Sequence, residues 1–249
     1  SGDDSVQVLK KIIQEKRYSG ITFIENQDNV GFAKGCNIGT KKAMGKYLLF
    51  LNNDTLVKDR GILEMAEYLD KHSTIAILGG SLLNPDGTAQ PSIGSFYSPI
   101  KVMLLLLGLQ RYGLIDKNPQ SIKYVDWVKG ALLMIRKEVF EKLHGFDEHI
   151  FMYTEDMELC YRAKLQGYLV AFYPKVHVIH EESGSSDKTF AIVHIYKNLL
   201  YFYKKHRSRA EYLFVRFLLR AKAVTLIGIG RLTRNSYFTH TYEEALKVT

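Results

Sequence analysis

The chain has 249 residues, 46% of them hydrophobic, enough to bury a substantial core and too many for a disordered polypeptide. A net charge of +8 points to anionic partners, whether nucleic acid, an anionic membrane surface or a phosphorylated small molecule. Cys36 and Cys160 lie far apart with no CxxC or Cys/His spacing, which argues against structural zinc and a disulfide and for a reduced, intracellular protein.

Asp4 or Ser5 caps an expected first helix to about Lys16, with Val6, Leu9 and Ile13 on one face. Ile21 to Glu25 reads as a strand, Asn26 to Gly31 as a loop, and Gly31 onward as a helix ending near Gly45. The glycines of Gly31-Phe32-Ala33-Lys34-Gly35 permit close backbone approach, but they lack the spacing of either phosphate-loop fingerprint. Tyr47 to Leu51 is an apolar run ending in Asn52-Asn53-Asp54-Thr55, which predicts a buried parallel strand delivering a carboxylate to the carboxyl edge of a sheet, where open α/β sheets bind ligands. A turn capping the next helix, from near Asp59, explains the same four residues. That helix has Ile62, Leu63, Met65, Ala66 and Leu69 as its buried stripe, and a strand follows from Ile75 to Gly79. The alternation predicts a mostly parallel sheet with crossover helices.

Asn84-Pro85-Asp86-Gly87 is a turn signal between short antiparallel strands. Phe96 to Ile115 fits a mobile flap or a buried helix equally, and its apolar run from Val102 to Leu109 is far short of the roughly 20 residues of a membrane span. Tyr124 to Ile135 predicts strand, Lys129-Gly130 turn, strand, and Lys137 to Leu143 a short helix. Thr154 is a candidate N-cap for a helix from Glu155 that Gly167 ends. Its acidic first turn suits the helix dipole and Glu158 can pair with Arg162, yet neither accounts for Glu155 and Asp156 side by side. Leu169 to Tyr173 and Val176 to His180 read as two short strands.

From Thr189 the chain predicts long basic, aromatic helices. Between Lys197 and Arg234 ten cations face Glu211 alone, with six Tyr and Phe residues interleaved and Tyr196 just before them. An anionic membrane interface, a helix pair packed on the main domain and a nucleic-acid surface all fit, in that order.

Five motifs in order carry a resemblance. They are Asn29-x-Gly31-Phe32-Ala33-x-Gly35-x-Asn37, Asn52-Asn53-Asp54, Gly130 through Arg136, Glu155-Asp156-x-x-Leu159-x-x-Arg162, and His180. Together, from about Asp3 to Ser186, they resemble glycosyltransferase family 2, its rhamnosyltransferase-like members in particular. The resemblance implies a GT-A fold over residues 1–188, a mostly parallel mixed sheet flanked by helices, with a helical appendage over 189–249. It implies a metal-assisted, inverting enzyme moving a sugar, rhamnose among the candidates, from a nucleotide-sugar to a cell-surface glycan or lipid-linked acceptor. Asp54 and His180 would hold Mg²⁺ or Mn²⁺ at the diphosphate, and Asp156, supported by Glu155, would be the catalytic base. Gly31, Phe32, Asn37, Asn52 and Asn53 fall at the donor, and Trp127 and Gly130 at the sugar and acceptor channel. The expected location is cytoplasmic and peripheral to the cytoplasmic membrane, without nucleic acid as a partner.

Relatives begin with a strand, a helix and an Asp-bearing strand that this chain lacks. A sheet missing a central strand must be closed by rearrangement, by a second chain in a homo-oligomer or by strand exchange in a dimer. The competing expectation is a truncated, non-catalytic module that binds a membrane or partner, or needs a second chain for activity.

Overall fold

The structure, a computed structural model, describes residues 4–15, 20–58, 60–109, 116–181 and 187–249. Asp3, the expected end of the first helix at Lys16, the helix start at Asp59, the last residues of the 96–115 segment and the stretch after Glu181 lie outside the described residues.

In chain order the elements are α1 (Ser5–Glu15), α2 (Phe32–Thr40), β1 (Tyr47–Leu51), β2 (Thr55–Val57), α3 (Gly61–Lys71), β3 (Ile75–Leu83), β4 (Ile93–Gly94) and α4 (Pro99–Leu106). There follow β5 (Lys123–Tyr124), β6 (Trp127–Val128), β7 (Leu132–Arg136), α5 (Lys137–Lys142), α6 (Glu155–Leu165), β8 (Leu169–His180), α7 (Lys188–His206), α8 (Arg209–Leu232) and α9 (Ser236–Lys247).

The main sheet runs β1-β7-β3-β8-β2, with β5 also on β8. It is the expected mixed sheet flanked by helices, but among the described residues its parallel character is confined to the β3–β8 ladder. β1 is antiparallel to β7 and lies at the end of the sheet path, rather than inside a parallel array, and it is buried only at alternate residues. Ile21 to Glu25 forms no strand. Having no ladder to join, it leaves Ile21 and Ile24 exposed. The two strands expected within Leu169 to His180 are one, β8, whose register against β3 slips between Tyr173 and His177.

That slip curls the sheet. The link from Leu51 to Thr55 can reach at most about 14 Å, yet β1 and β2 end a five-strand path that would be about 19 Å wide if flat. Gly79 and Gly80 sit at the bend because side chains do not fit there. A Cβ on Gly79 would lie 2.4 Å from Val128 Cβ, and one on Gly80 2.5 Å from Leu132 Cδ2.

Strand alternation sends Leu133 and Ile135 of β7 to the face covered by α2, α5 and α6, and Leu132 and Met134 to the face covered by α3. α3 buries Met65 and Leu69 as expected, while Leu63 is exposed. Arg136, at the end of β7, is buried and donates to the carbonyls of Leu69, His72 and Ile75, capping the C-terminal end of α3. The 84–87 turn forms, closed by Gly87 N–H donating to Asn84 O. The third cluster is helical. Phe202 and Tyr203 of α7, Val215 and Leu219 of α8 and Tyr242 of α9 pack with Val102 of α4 and Met157 of α6. No described helix is long and apolar enough to cross a membrane, and both cysteines are free.

Candidate active site

The curl brings the C-terminal ends of β1 and β8 together with the N-terminal end of α6 around one pocket of about 710 Å³. Phe32, Asn52, Asn53, Asp54, Trp127, Gly130, Glu155, Asp156 and His180 all line it, as do Tyr97 and Lys129, which the sequence reading did not assign to the site. Gly31 and Asn37 do not.

Gly31 works one residue away. Its φ of +80° places it where only glycine is unstrained, and a Cβ there would lie 2.4 Å from Phe151 O. Phe32 N–H donates to that same carbonyl at 2.7 Å, so the glycine lets the Phe151 loop seat the Phe32 ring at the pocket. Asn37 is a clamp. Its amide donates to Phe146 O at 2.9 Å and accepts from Phe146 N–H at 2.9 Å, which holds the loop before α6 and leaves nothing for a ligand.

Asn52 N–H donates to Ala131 O and Thr55 Oγ1 to Asn52 O, so the Asn-Asn-Asp turn is held from both sides. Asp54 Oδ1 lies 3.4 Å from His180 Nε2. The ring is oriented from behind by Gln90, another residue missed. Gln90 Nε2 donates to His180 O and Asn84 Oδ1, so its Oε1 faces His180 Nδ1 at 2.9 Å and accepts a hydrogen bond from that N–H. In the neutral ring Nε2 therefore presents its lone pair towards Asn52 Nδ2, at 3.3 Å, and the Asp54 carboxylate. Gln90 lies three residues past the Asn84-Pro85-Asp86-Gly87 turn, a position that does not announce this contact in the sequence.

The second half of the site is the start of α6. Thr154 does not cap it through its side chain, contrary to expectation. Tyr153 and Thr154 have φ of 71° and 69°, two successive left-handed residues that cost backbone strain and turn Glu155 and Asp156 into the pocket. Asp156 Oδ2 accepts from Gly130 N–H at 2.9 Å and Oδ1 from Met157 N–H at 2.7 Å. Gly130 therefore acts through its backbone, and a Cβ there would approach Asp156 Cβ to 3.5 Å. Burial pushes the Asp156 carboxyl up, and these two donors and the Lys129 charge offset that only in part. Burial, and then the Asp156 charge, push Glu155 up to about 8. The donors favour charge on Asp156 and leave the proton on Glu155.

Glu158 and Arg162 follow the structural reading. Their ion pair of 2.8 Å is buried, and Arg162 also donates to Leu143 O and Gly145 O. Glu158 takes Lys205 and His206 from α7 as well, tying α6 to the C-terminal helices. Burial pushes Glu158 up, but the His206 hydrogen bond, the Arg162 charge and the Lys205 hydrogen bond outweigh it and hold the carboxyl below its usual range.

Trp127 is fixed against Gly94, where a Cβ would come within 2.2 Å of the ring, and its indole N–H donates to Ser95 O at 3.1 Å. Among the described residues, three buried oxygens of pocket-lining side chains find no hydrogen-bond donor: Asp54 Oδ1, Thr154 Oγ1 and Glu155 Oε2. No described cluster of three or more His, Cys, Asp or Glu side chains surrounds a metal position. The orphaned Asp54 oxygen beside an imidazole lone pair nevertheless fits a divalent cation that takes its remaining ligands from substrate and water.

The sequence model of "Glycosyl transferase family 2" matches residues 1–154. Rhamnosyltransferase WbbL of Escherichia coli K12 is 28% identical over 187 residues, which cover 70% of this chain and 68% of that protein. An N-acetylglucosaminyl-diphospho-decaprenol L-rhamnosyltransferase of Mycobacterium tuberculosis H37Rv is 24% identical over 197 residues, 70% of this chain and 62% of the relative. Two solved structures share the fold at low identity. GalNAc-T7 with UDP, GalNAc and Mn²⁺ has a TM-score of 0.58 at 19% identity, over 82% of this chain and 40% of that one. The mannosyltransferase PcManGT of Pyrobaculum calidifontis, in complex with GDP-Man and Mn²⁺, has a TM-score of 0.55 at 14% identity, over the whole of this chain and 74% of that one. The fold is GT-A, and the chain belongs to glycosyl transferase family 2.

Proposed function

We propose that the protein transfers a hexosyl or rhamnosyl group from a nucleotide-sugar to a hydroxyl of a glycan or lipid-linked acceptor presented at a membrane surface, with inversion. The observation that carries this reading is the pairing, across one pocket, of Asp54 and His180 with an Asp156 carboxylate held by two backbone N–H groups. Asp54 and His180 would hold a divalent cation, which would supply positive charge to the diphosphate as it leaves. Solved neighbours with Mn²⁺ and UDP or GDP-Man support that part of the reading, and the relatives described as rhamnosyltransferases support rhamnose as a candidate sugar.

Asp156 accepts the acceptor hydroxyl's proton as its oxygen attacks the anomeric carbon. The bond from that carbon to the diphosphate breaks, and the nucleoside diphosphate departs with the electron pair. Gly130 and Met157 N–H hold the carboxylate in one orientation throughout. Glu155, neutral beside it, adds no second charge to the site. Trp127 and Tyr97 offer flat walls on which sugar rings pack.

The test is sugar transfer from a panel of UDP, GDP and dTDP sugars to a lipid-linked or soluble glycan acceptor. The expected result is turnover that falls by about 10²–10⁴ in Asp156→Asn with donor binding retained. Unchanged turnover in that variant would remove Asp156 from the base position.

A further inference from the structure

The helix α8 buries Val215, Leu219, Ala223 and Ile227 against its neighbours. Its opposite side is also apolar. Phe214, Phe217, Val224 and Leu232 are 44%, 65%, 58% and 87% exposed, and they recur at the helical period along the face turned away from the core. Isolated exposed apolar residues are ordinary, but a run of large ones along a 24-residue helix is the mark of a surface that meets something. The adjoining α4, packed on α8 through Val102, repeats the feature with Ile100 and Met103 exposed, as is Leu107 just past its end. Tyr97, just before α4, lines the active-site pocket.

Charge identifies the partner. Arg209, Arg220 and Arg231 are spaced eleven residues apart, about three helical turns, so they fall on one line beside the apolar stripe. Arg231 also pairs with Glu243 of α9 across an exposed 2.9 Å contact. Glu211 is the one acidic residue in α8. A second copy docking by this face would set two arginine rows against each other. Nucleic acid would match the arginines but give Val224 and Leu232 nothing apolar to enter. An anionic bilayer satisfies both, with phosphate at the arginines and the acyl boundary at the phenylalanines.

We propose that the outward face of α8, extended by α4, seats the protein on an anionic lipid surface, with α8 lying along the headgroup plane. The reading of a membrane-presented acceptor gives this docking its purpose. The experiment uses neither donor nor acceptor, so each can fail without the other.

The full chain is sedimented with phosphatidylcholine vesicles alone and with about 30% phosphatidylglycerol. The expected result is binding that depends on the anionic lipid. Removing the cations of two arginines in Arg209→Gln/Arg220→Gln lowers it about thirtyfold, and Phe214→Ser/Phe217→Ser lowers it at least about tenfold. Both variants keep wild-type binding of nucleoside diphosphate, which shows them folded, and that binding failing in every form instead would count against the catalytic reading alone. Equal binding to both vesicle types, or double variants that sediment like wild type, would overturn the proposal. So would a dimer in solution that ignores vesicles and is lost in the phenylalanine variant, or capture of an oligonucleotide in preference to anionic vesicles.

Discussion

Replacing Glu155 by Gln separates the two adjacent carboxyls by role. Glu155 is only 7% exposed, and its carboxyl is pushed from 4.5 to about 8 by burial and by the Asp156 charge. A folded-state pKa above the unfolded one means the native chain keeps a proton that the unfolded chain releases. The associated stability is complete below pH 4.5 and drains as pH rises to about 8. At about 1.4 kcal/mol per pH unit, the loss reaches about 3 kcal/mol at pH 7 and between about 4 and 5 above pH 8. Glu155→Gln carries no proton to lose, so its stability relative to wild type should climb by about those amounts over the same window. Urea denaturation of both proteins at pH 5, 7 and 9 reads this directly. Because glutamine mimics the neutral carboxyl, turnover at pH 7 should stay within about tenfold of wild type, against a loss of about 10² or more in Asp156→Asn. Parallel stability profiles, or equal losses of turnover, would refute the assignment of the proton to Glu155.

Two further expectations follow from how the site is supported. Gln90→Leu removes the acceptor that holds His180 Nδ1 and should weaken Mn²⁺ binding about 10–100-fold, measured by electron paramagnetic resonance with a nucleoside diphosphate present. Gln90→Glu, which keeps that acceptor, should recover most of the affinity, and identical affinity in all three forms would make Gln90 irrelevant to the imidazole. Gly94→Ala places a methyl group where the Trp127 ring now sits. It should cost about 1–3 kcal/mol and shift the emission of Trp127, the chain's single tryptophan; unshifted emission would show that the indole does not depend on this contact.

The parts of the site that could be read from the sequence were those announced by local chemistry. Asn52-Asn53-Asp54 ends an apolar strand, Glu155-Asp156 opens a helix, and His180 ends another strand; all three reach one pocket. What the sequence could not carry was pairing. Tyr47 to Leu51 looked like a parallel strand because helices alternate with strands around it, but its partner is β7, some 80 residues on, and the pairing is antiparallel. Asn37 stood inside a glycine-rich motif and drew a ligand reading, although its amide is consumed by Phe146, more than 100 residues away. Gln90, Tyr97 and Lys129 were missed for the complementary reason. Nothing beside Gln90 or Tyr97 marks them, Lys129 reads only as a turn residue before Gly130, and it is the curl at Gly79-Gly80 that brings their segments round to the strand ends. The sequence also suggested a side-chain cap at Thr154, where the chain instead uses two left-handed residues to aim the carboxyls.

The central claim, that this pocket receives a nucleotide-sugar against Asp54 and His180, is tested most directly by calorimetric titration of the 249-residue chain with UDP, GDP and dTDP sugars, with and without Mn²⁺. The account predicts saturable binding of at least one donor that requires Mn²⁺ and weakens at least about tenfold in Asp54→Asn. Binding that ignores both the metal and Asp54, or no binding by the folded chain to any member of the panel, would contradict it.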